Sequence, residues 1–373
     1  MKKHTKRLFG AACAACAVLL AAPLGANAVS EHLLSRSANA YIEEKLSTAV
    51  QTYTQTSGGL VLGDVNEDGQ MNALDARIAL QGVAGLRGFS ERQLAAADFD
   101  CDNAVSLREV RIILRGAAQI RSIKEAAFGI TDSAVPTDTA KILQYYNFVC
   151  ANLKVSEPGL TMSRTYFTRF SGGVENPFTW SLLPGSDYAQ FDDNAALNTL
   201  KNDTTEYADT QADVVYAAGT DLTDVYPSYG ELRGDITASD ISAASMQLGD
   251  STYTLTLTCP GASFALPKSA ALTPLGKVFP MLTTESQYRS MLLSSDHAQY
   301  AGYITAVNCN YADCTLTCVV DADTDMLISA VFSMPYTLTN DLSVTTSSIL
   351  GTTSTTSVSL ETAIRDVVTF TVG

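Results

Sequence analysis

Histidine and tryptophan are scarce, with three His and one Trp in 373 residues. His4 falls in an N-terminal leader, and of the other two His297, with Asp296 beside it, is the candidate for a hydrolytic triad. No G-x-S-x-G frames a nucleophile, so His297 reads as a surface residue. Basic residues are also few: 24 Lys and Arg stand against 39 Asp and Glu, a net charge of −15. No Lys/Arg cluster lies beyond the leader, which excludes nucleic acid and anionic membrane surfaces as partners. No apolar run after the leader is long enough to span a bilayer, so membrane insertion is not expected.

The leader, residues 1–28, has a basic start, an apolar run and Ala26-Asn27-Ala28. That is the layout of a secretory signal with an A-x-A cleavage site, and the expected product is a secreted chain. Removing its four basic residues leaves 20 basic and 39 acidic side chains, a net charge of −19. The remaining chain, about 345 residues, is enough for roughly two or three domains. Six of the eight cysteines survive: Cys101, Cys150, Cys259, Cys309, Cys314 and Cys318. The spacing in "CNYADCTLTC" could hint at a metal cluster. Its cysteines flank a Thr-rich strand pattern with no histidine near, so core thiols or one disulfide fit better than zinc.

Against this sparse background stands "GDVNEDGQMNALD", residues 63–75, with Asp64, Asn66 and Asp68 at alternate positions. Three oxygen-bearing side chains on one strand face would not line an apolar core. A loop folded around a hard cation would use all three. The stretch recurs 34 residues later as "ADFDCDNAVSLRE". Asp64 falls on Asp98, Asn66 on Asp100, Asp68 on Asp102, Asn72 on Ser106 and Asp75 on Glu109. The match continues through Arg77-Ile78, Leu80 and Gly82 onto Arg111-Ile112, Leu114 and Gly116. An internal duplication explains this agreement.

Each copy carries the twelve-position calcium pattern: side-chain oxygens at 1, 3 and 5, a backbone carbonyl at 7, a direct or water-mediated ligand at 9 and a carboxylate at 12. The candidate ligands are Asp64, Asn66, Asp68, Gln70, Asn72 and Asp75, then Asp98, Asp100, Asp102, Ala104, Ser106 and Glu109. The turn at position 6 needs a residue tolerant of positive φ. Gly69 and Asn103 stand there. Asp75 is shorter than Glu109, so the first loop is expected to use an extra water or a tighter geometry.

No helical pattern precedes Asp64, whereas one helix follows each loop, roughly residues 74–84 and 107–118. Two such loop-helix units resemble a type I dockerin, the calcium-dependent module that plugs into cohesins of cellulosome-like scaffolds. The resemblance covers residues 61–121. It implies two structural EF-hand-like calcium ions in an all-α module, and a cohesin domain of a scaffoldin as partner. It places cohesin contacts at Ala73, Leu74, Leu80 and Gln81 in the first copy, and at Leu107, Arg108, Leu114 and Arg115 in the second. Ala-Leu is not equivalent to Leu-Arg, so one docking orientation is expected to dominate. Leu80 and Leu114 fit a core position equally well.

Residues 29–60 read as an N-terminal helix and spacer, and 122–136 as a linker. Residues 137–373 read as an α+β domain rich in antiparallel strands, opened by a helix with apolar Ile142, Leu143, Tyr146, Val149 and Leu153. Hairpins are expected in "SMQLGDSTYTLTLTC" and around Asp321 to Asp325. The last of these, "DADTD", reads as a turn rather than a third cation loop, because no helix follows. For function, this domain is expected to be a non-catalytic accessory or binding module in polysaccharide degradation, on a scaffold outside the cell. Phe178, Trp180, Tyr188, Tyr226 and Tyr229 could form a sugar platform or core, which leaves polysaccharide as a further candidate partner. The alternative is a glycoside hydrolase or other hydrolase. Glycoside hydrolysis needs two carboxylates, and Glu157, Glu175, Glu206, Glu231 and Glu285 are unranked candidates.

Overall fold

The computed structural model describes residues 28–53, 59–100, 102–172, 207–222, 225, 236–265, 274–279, 304–347 and 353–373. Helix α1 (Ala28–Thr52) is followed by three helices that serve the duplicated segment: α2 (Ala73–Val83), α3 (Glu91–Ala97) and α4 (Leu107–Ala117). Helices α5 (Ile123–Phe128) and α6 (Thr139–Ser156) come next. Strands β1 (Leu160–Gly172), β2 (Tyr207–Thr210), β3 (Val214–Tyr216), β4 (Ala243–Leu248), β5 (Thr252–Cys259) and β6 (Ala262–Ala265) precede the short α7 (Pro274–Val278). The chain closes with β7 (Ile304–Tyr311), β8 (Cys314–Asp321), β9 (Leu327–Ser347) and β10 (Thr353–Val372).

The strands form one antiparallel sheet in the order β2-β1-β10-β9-β8-β5-β4. The long β9 pairs with β10 along one side. Its other side is shared, with β8 covering Leu327–Ser333 and β7 covering Tyr336–Leu342. Both expected hairpins are present, as β4–β5 and β8–β9. In β5, burial alternates strictly, with Tyr253, Leu255, Leu257 and Cys259 inward, as a sheet with one covered face requires. At the β8–β9 turn Asp321 Oδ1 accepts from the backbone N–H of Asp323 and Thr324, an Asx-type closure that needs no cation.

The two sheet faces carry different cargo, and period-two side-chain alternation sorts them. Val319, Val331 and Val367 join Phe167 and Ile328 under α1, whose Ala38, Ile42, Leu46 and Ala49 make one apolar stripe. Tyr41 of α1 packs edge-on against Phe167 at 5.6 Å, and Thr165 Oγ1 donates to Tyr41 Oη at 2.9 Å. Their neighbours in sequence, Cys318, Val320, Ala330, Phe332 and Val368, join the main core with α6 on the other face. Helix α6 is capped by Asp138, whose carboxylate accepts from Ala140 N–H. All five apolar positions expected on it are buried, and so are Tyr145, Phe148, Cys150, Ala151, Asn152 and Lys154.

That all-round burial has a topological cause. The duplicated segment lies in sequence between α1 and α6, and both of these helices pack on the same sheet. The main core is continuous from Leu62, Val65, Phe99 and Ile113 of the segment, through α6, to the sheet. Residues 122–136, expected as a linker, contain α5, and Phe128 is wholly buried 5.3 Å from Tyr145 and 5.6 Å from Phe148.

One expectation needs correction. Residues 62–115 are not all-α: their three helices alternate with two long irregular loops. The loop residues Asp64–Asn72 and 98–106 satisfy their backbone through side chains rather than through helical hydrogen bonds. Helix α3, not foreseen, fills the connection between the two copies.

Candidate functional site

The two loops, residues 64–75 and 98–109, are built by one set of hydrogen bonds used twice. Asp64 Oδ2 accepts from Gly69 N–H at 2.8 Å, and Asp98 Oδ2 accepts from Asn103 N–H at 2.8 Å. The other oxygen of each aspartate accepts from Asp68 or Asp102 N–H, at 3.2 and 3.3 Å. This closure requires left-handed backbone at position 6, where Gly69 has φ 84° and Asn103 has φ 67°.

The carboxylates at position 12 close each loop from the far end. Asp75 Oδ1 accepts from Val65 N–H (2.9 Å) and Asn66 N–H (3.0 Å), and its Oδ2 accepts from Asn72 N–H (2.7 Å). Glu109 does the same with Phe99 (3.2 Å), Asp100 (3.4 Å) and Ser106 (2.6 Å). Both carboxylates are buried. Burial, with the charge of Asp100 adding to it, pushes Glu109 above the usual carboxylate range.

Asn72 and Ser106 at position 9 are the N-caps of α2 and α4. Their side chains accept from Leu74 N–H at 2.8 Å and Arg108 N–H at 3.2 Å. Each loop therefore ends in a capping box whose third helical residue is the position-12 carboxylate. This double use, as helix cap and loop closure, was legible in N-x-x-D and S-x-x-E but escaped the sequence reading.

The residues fit a hard cation. In the second loop, the ligand oxygens of Asp98, Asp100 and Asp102 lie within 4.8 Å of one another. Asp100 Oδ1 is buried with no hydrogen-bond partner, while its Oδ2 pairs with Arg108 Nη1 at 2.9 Å. An unpartnered buried carboxylate oxygen is costly unless something positive completes it. In the first loop Asn66 and Asp68 bond to each other, Asn66 Nδ2 donating to Asp68 Oδ2 at 2.8 Å. Gln70 and Ala104 at position 7 are exposed.

Outside the loops, α2 and α4 pack together and put Ala76, Ala79, Val110 and Ile113 into one core. Leu74, Leu80, Leu107 and Leu114 remain 38 %, 46 %, 60 % and 51 % exposed, which settles Leu80 and Leu114 as surface rather than core. Ala73, Arg108 and Arg115 are exposed and Gln81 is half-buried. The matched glycines have a packing reason: a Cβ on Gly82 would sit 1.9 Å from Phe89 Cζ, and one on Gly116 3.1 Å from Met71 Cε.

Residues 62–115 match the type I dockerin domain. Such a domain implies docking onto a cohesin in a cellulosome-type assembly, and type I dockerins bind calcium. No curated protein and no solved structure gives a significant match to this chain. No described helix is long and apolar enough to cross a membrane. The other sequence candidates, namely Phe178, Trp180, Tyr188, Tyr226, Tyr229, His297 and its neighbour Asp296, lie outside the described residues, as do Glu175, Glu206, Glu231 and Glu285. Glu157 is described and is the left-handed C-cap of α6. It faces no second carboxylate among the described contacts. Two buried carboxylates of the sheet domain are paired with cations: Arg164 Nε donates to Asp366 Oδ1 at 3.0 Å, and Lys124 Nζ lies 2.8 Å from Asp325 Oδ1.

Proposed function

We propose that residues 61–121 bind two structural calcium ions, one in each loop, and dock a secreted chain onto a cohesin of an extracellular scaffold. Asp64, Asn66, Asp68 and Asp75 would hold one ion, and Asp98, Asp100, Asp102 and Glu109 the other. The backbone carbonyls of Gln70 and Ala104 complete the shells, with Asn72 and Ser106 reached through water because their side chains cap helices. Calcium supplies charge neutralisation inside each loop. The chain's own residues do the rest: the capping boxes fix where α2 and α4 begin, and that start directs Ala73, Leu74, Leu80 and Gln81, and Leu107, Arg108, Leu114 and Arg115, toward the partner. The duplicated closure around inward-turned carboxylates, with Asp100 Oδ1 left unpartnered, carries this reading.

Residues 137–373 serve as a non-catalytic accessory or binding module in polysaccharide breakdown. The test of docking is cohesin binding by the full chain, measured by calorimetry with calcium chloride and again with excess EGTA. Binding should vanish on chelation and should fall at least about tenfold in Leu80→Arg/Leu114→Arg, two substitutions at exposed sites that spare the core. Binding indifferent to EGTA refutes the reading. Release of reducing sugar from any of starch, cellulose, xylan, mannan or pectin would replace the accessory role with a hydrolytic one.

A further inference from the structure

Both ends of the dockerin segment are fastened to one turn of the sheet. On the incoming side, Leu60 N–H donates to Asn152 Oδ1 of α6 at 2.9 Å. Asn152 is wholly buried, and its Nδ2 donates onward to the carbonyls of Asp325 (3.1 Å) and Thr324 (3.3 Å) in the β8–β9 turn. On the outgoing side, Lys124 of α5 reaches the same turn, donating to Ala322 O at 2.7 Å and pairing with Asp325. Tyr145 Oη completes the knot by donating to Asp325 Oδ1 at 2.7 Å.

Apolar contacts follow the same route. Leu60, Ala95 and Ala96 pack on Ala151. Arg92 Nη1 and Nη2 reach the carbonyls of Val155 and Gly59. The second residue of each loop, Val65 and Phe99, is buried in the core that continues into the sheet. The N–H groups of these two residues are among those held by Asp75 and Glu109. A change in either loop is therefore felt by a residue that belongs to the shared core.

We infer that calcium loading of the two loops braces the antiparallel sheet, so that the dockerin segment and the strand-rich domain open as one cooperative unit rather than as a plug on a tether. Ligands that bind only the folded form stabilise every element whose opening requires their release. Segments joined by a solvated linker would open separately. The inference rests on calcium binding by the loops, as proposed above, and goes beyond it to the part of the chain that holds no loop.

The experiment is amide hydrogen exchange by mass spectrometry on the full chain, in calcium chloride and in EGTA, with calcium uptake measured in parallel by calorimetry. Peptides from β8 and the start of β9 (residues 314–332) report the sheet, and peptides from residues 62–115 report the loops. Chelation should speed exchange in both sets, by about tenfold or more in residues 314–332. Calcium uptake with unchanged exchange in 314–332 overturns the coupling while leaving docking intact, whatever the loops do. Failure to take up calcium overturns both readings together.

Discussion

Asn152→Ala tests the fastening most directly. The wild-type amide accepts from Leu60 N–H at 2.9 Å and from Ser156 Oγ at 3.0 Å, and donates to Asp325 O at 3.1 Å. Truncation strands the Leu60 N–H and the Asp325 carbonyl in a buried site. Each stranded group costs about 1–3 kcal/mol, so a loss of about 3 kcal/mol is the central expectation. For about 345 residues, at about 2.1 cal/mol/K of unfolding entropy per residue, that corresponds to a fall in Tm of about 4 °C. Asn152→Asp is the sharper variant. It keeps the shape and the acceptor for Leu60, but turns a donor into an acceptor facing two carbonyls, in a site where a carboxylate is poorly solvated. Its Tm should fall further than that of Asn152→Ala. Thermal melts followed by circular dichroism at fixed calcium give both numbers. A shift under about 2 °C for alanine, or a wild-type Tm for aspartate, would refute the buried amide bridge.

Gly82→Ala should destabilise, although alanine is the better helix former by about 1 kcal/mol. Its Cβ meets the Phe89 ring at 1.9 Å, and overpacking of that kind costs about 1–3 kcal/mol; a rise in Tm would contradict the contact. The five described cysteines are thiols and buried. Burial pushes Cys150 up to about 11 and Cys259 up to about 12, so at neutral pH neither should react with iodoacetamide until denaturant is added. Labelling of either in the native state would count against this packing. Burial also raises Tyr145 well above its ordinary 10.0, with Asp325 adding to the effect, and raises Tyr166 to about 12. An acid whose folded pKa is raised holds its proton longer when folded, so stability should fall as pH rises from about 10 upward. Absorbance at 295 nm should show tyrosines that ionise only with unfolding; smooth ionisation of all of them in the folded chain would refute it.

The loops were legible because their chemistry is local. Positions 1, 3, 5, 6 and 12 fall within twelve residues, and the need for positive φ at position 6 names Gly or Asn without any knowledge of the rest of the chain. Helix boundaries followed within a residue, because each helix begins where its loop pattern ends. Helix α3 was missed despite the same kind of signal: Ser90 and Gln93 make a capping box, but "ERQLAAA" is too short to show a period. The burial of Ala95 and Ala96 is decided by Ala151 of α6, more than fifty residues away. On α1 the stripe Ala38, Ile42, Leu46, Ala49 could be read from sequence. Its partners, Val319, Val331 and Val367, could not, since nothing local says which sheet face a helix covers. The Lys124–Asp325 pair joins residues from opposite halves of the chain, and no pattern within either half points to the other.

This non-local fastening changes what a docking event does. With both ends of the segment tied to the β8–β9 turn, a cohesin that engaged the first copy would hold the sheet domain in one attitude, and a cohesin that engaged the second copy would hold it in another. The two faces also differ in their link to the proposed calcium ligands. Arg108 already pairs with Asp100 at 2.9 Å, so a partner carboxylate that recruits Arg108 withdraws a cation from a proposed calcium ligand. An exposed pair of this kind is worth about 0–1 kcal/mol, too little to block docking, yet it is the released Asp100 oxygen that a calcium ion would then hold more strongly. The first copy has Leu74 at that position and no such link. If the loops hold calcium as proposed, docking through the second face is thus the orientation in which partner binding and calcium affinity reinforce each other, whereas docking through the first touches no proposed calcium ligand.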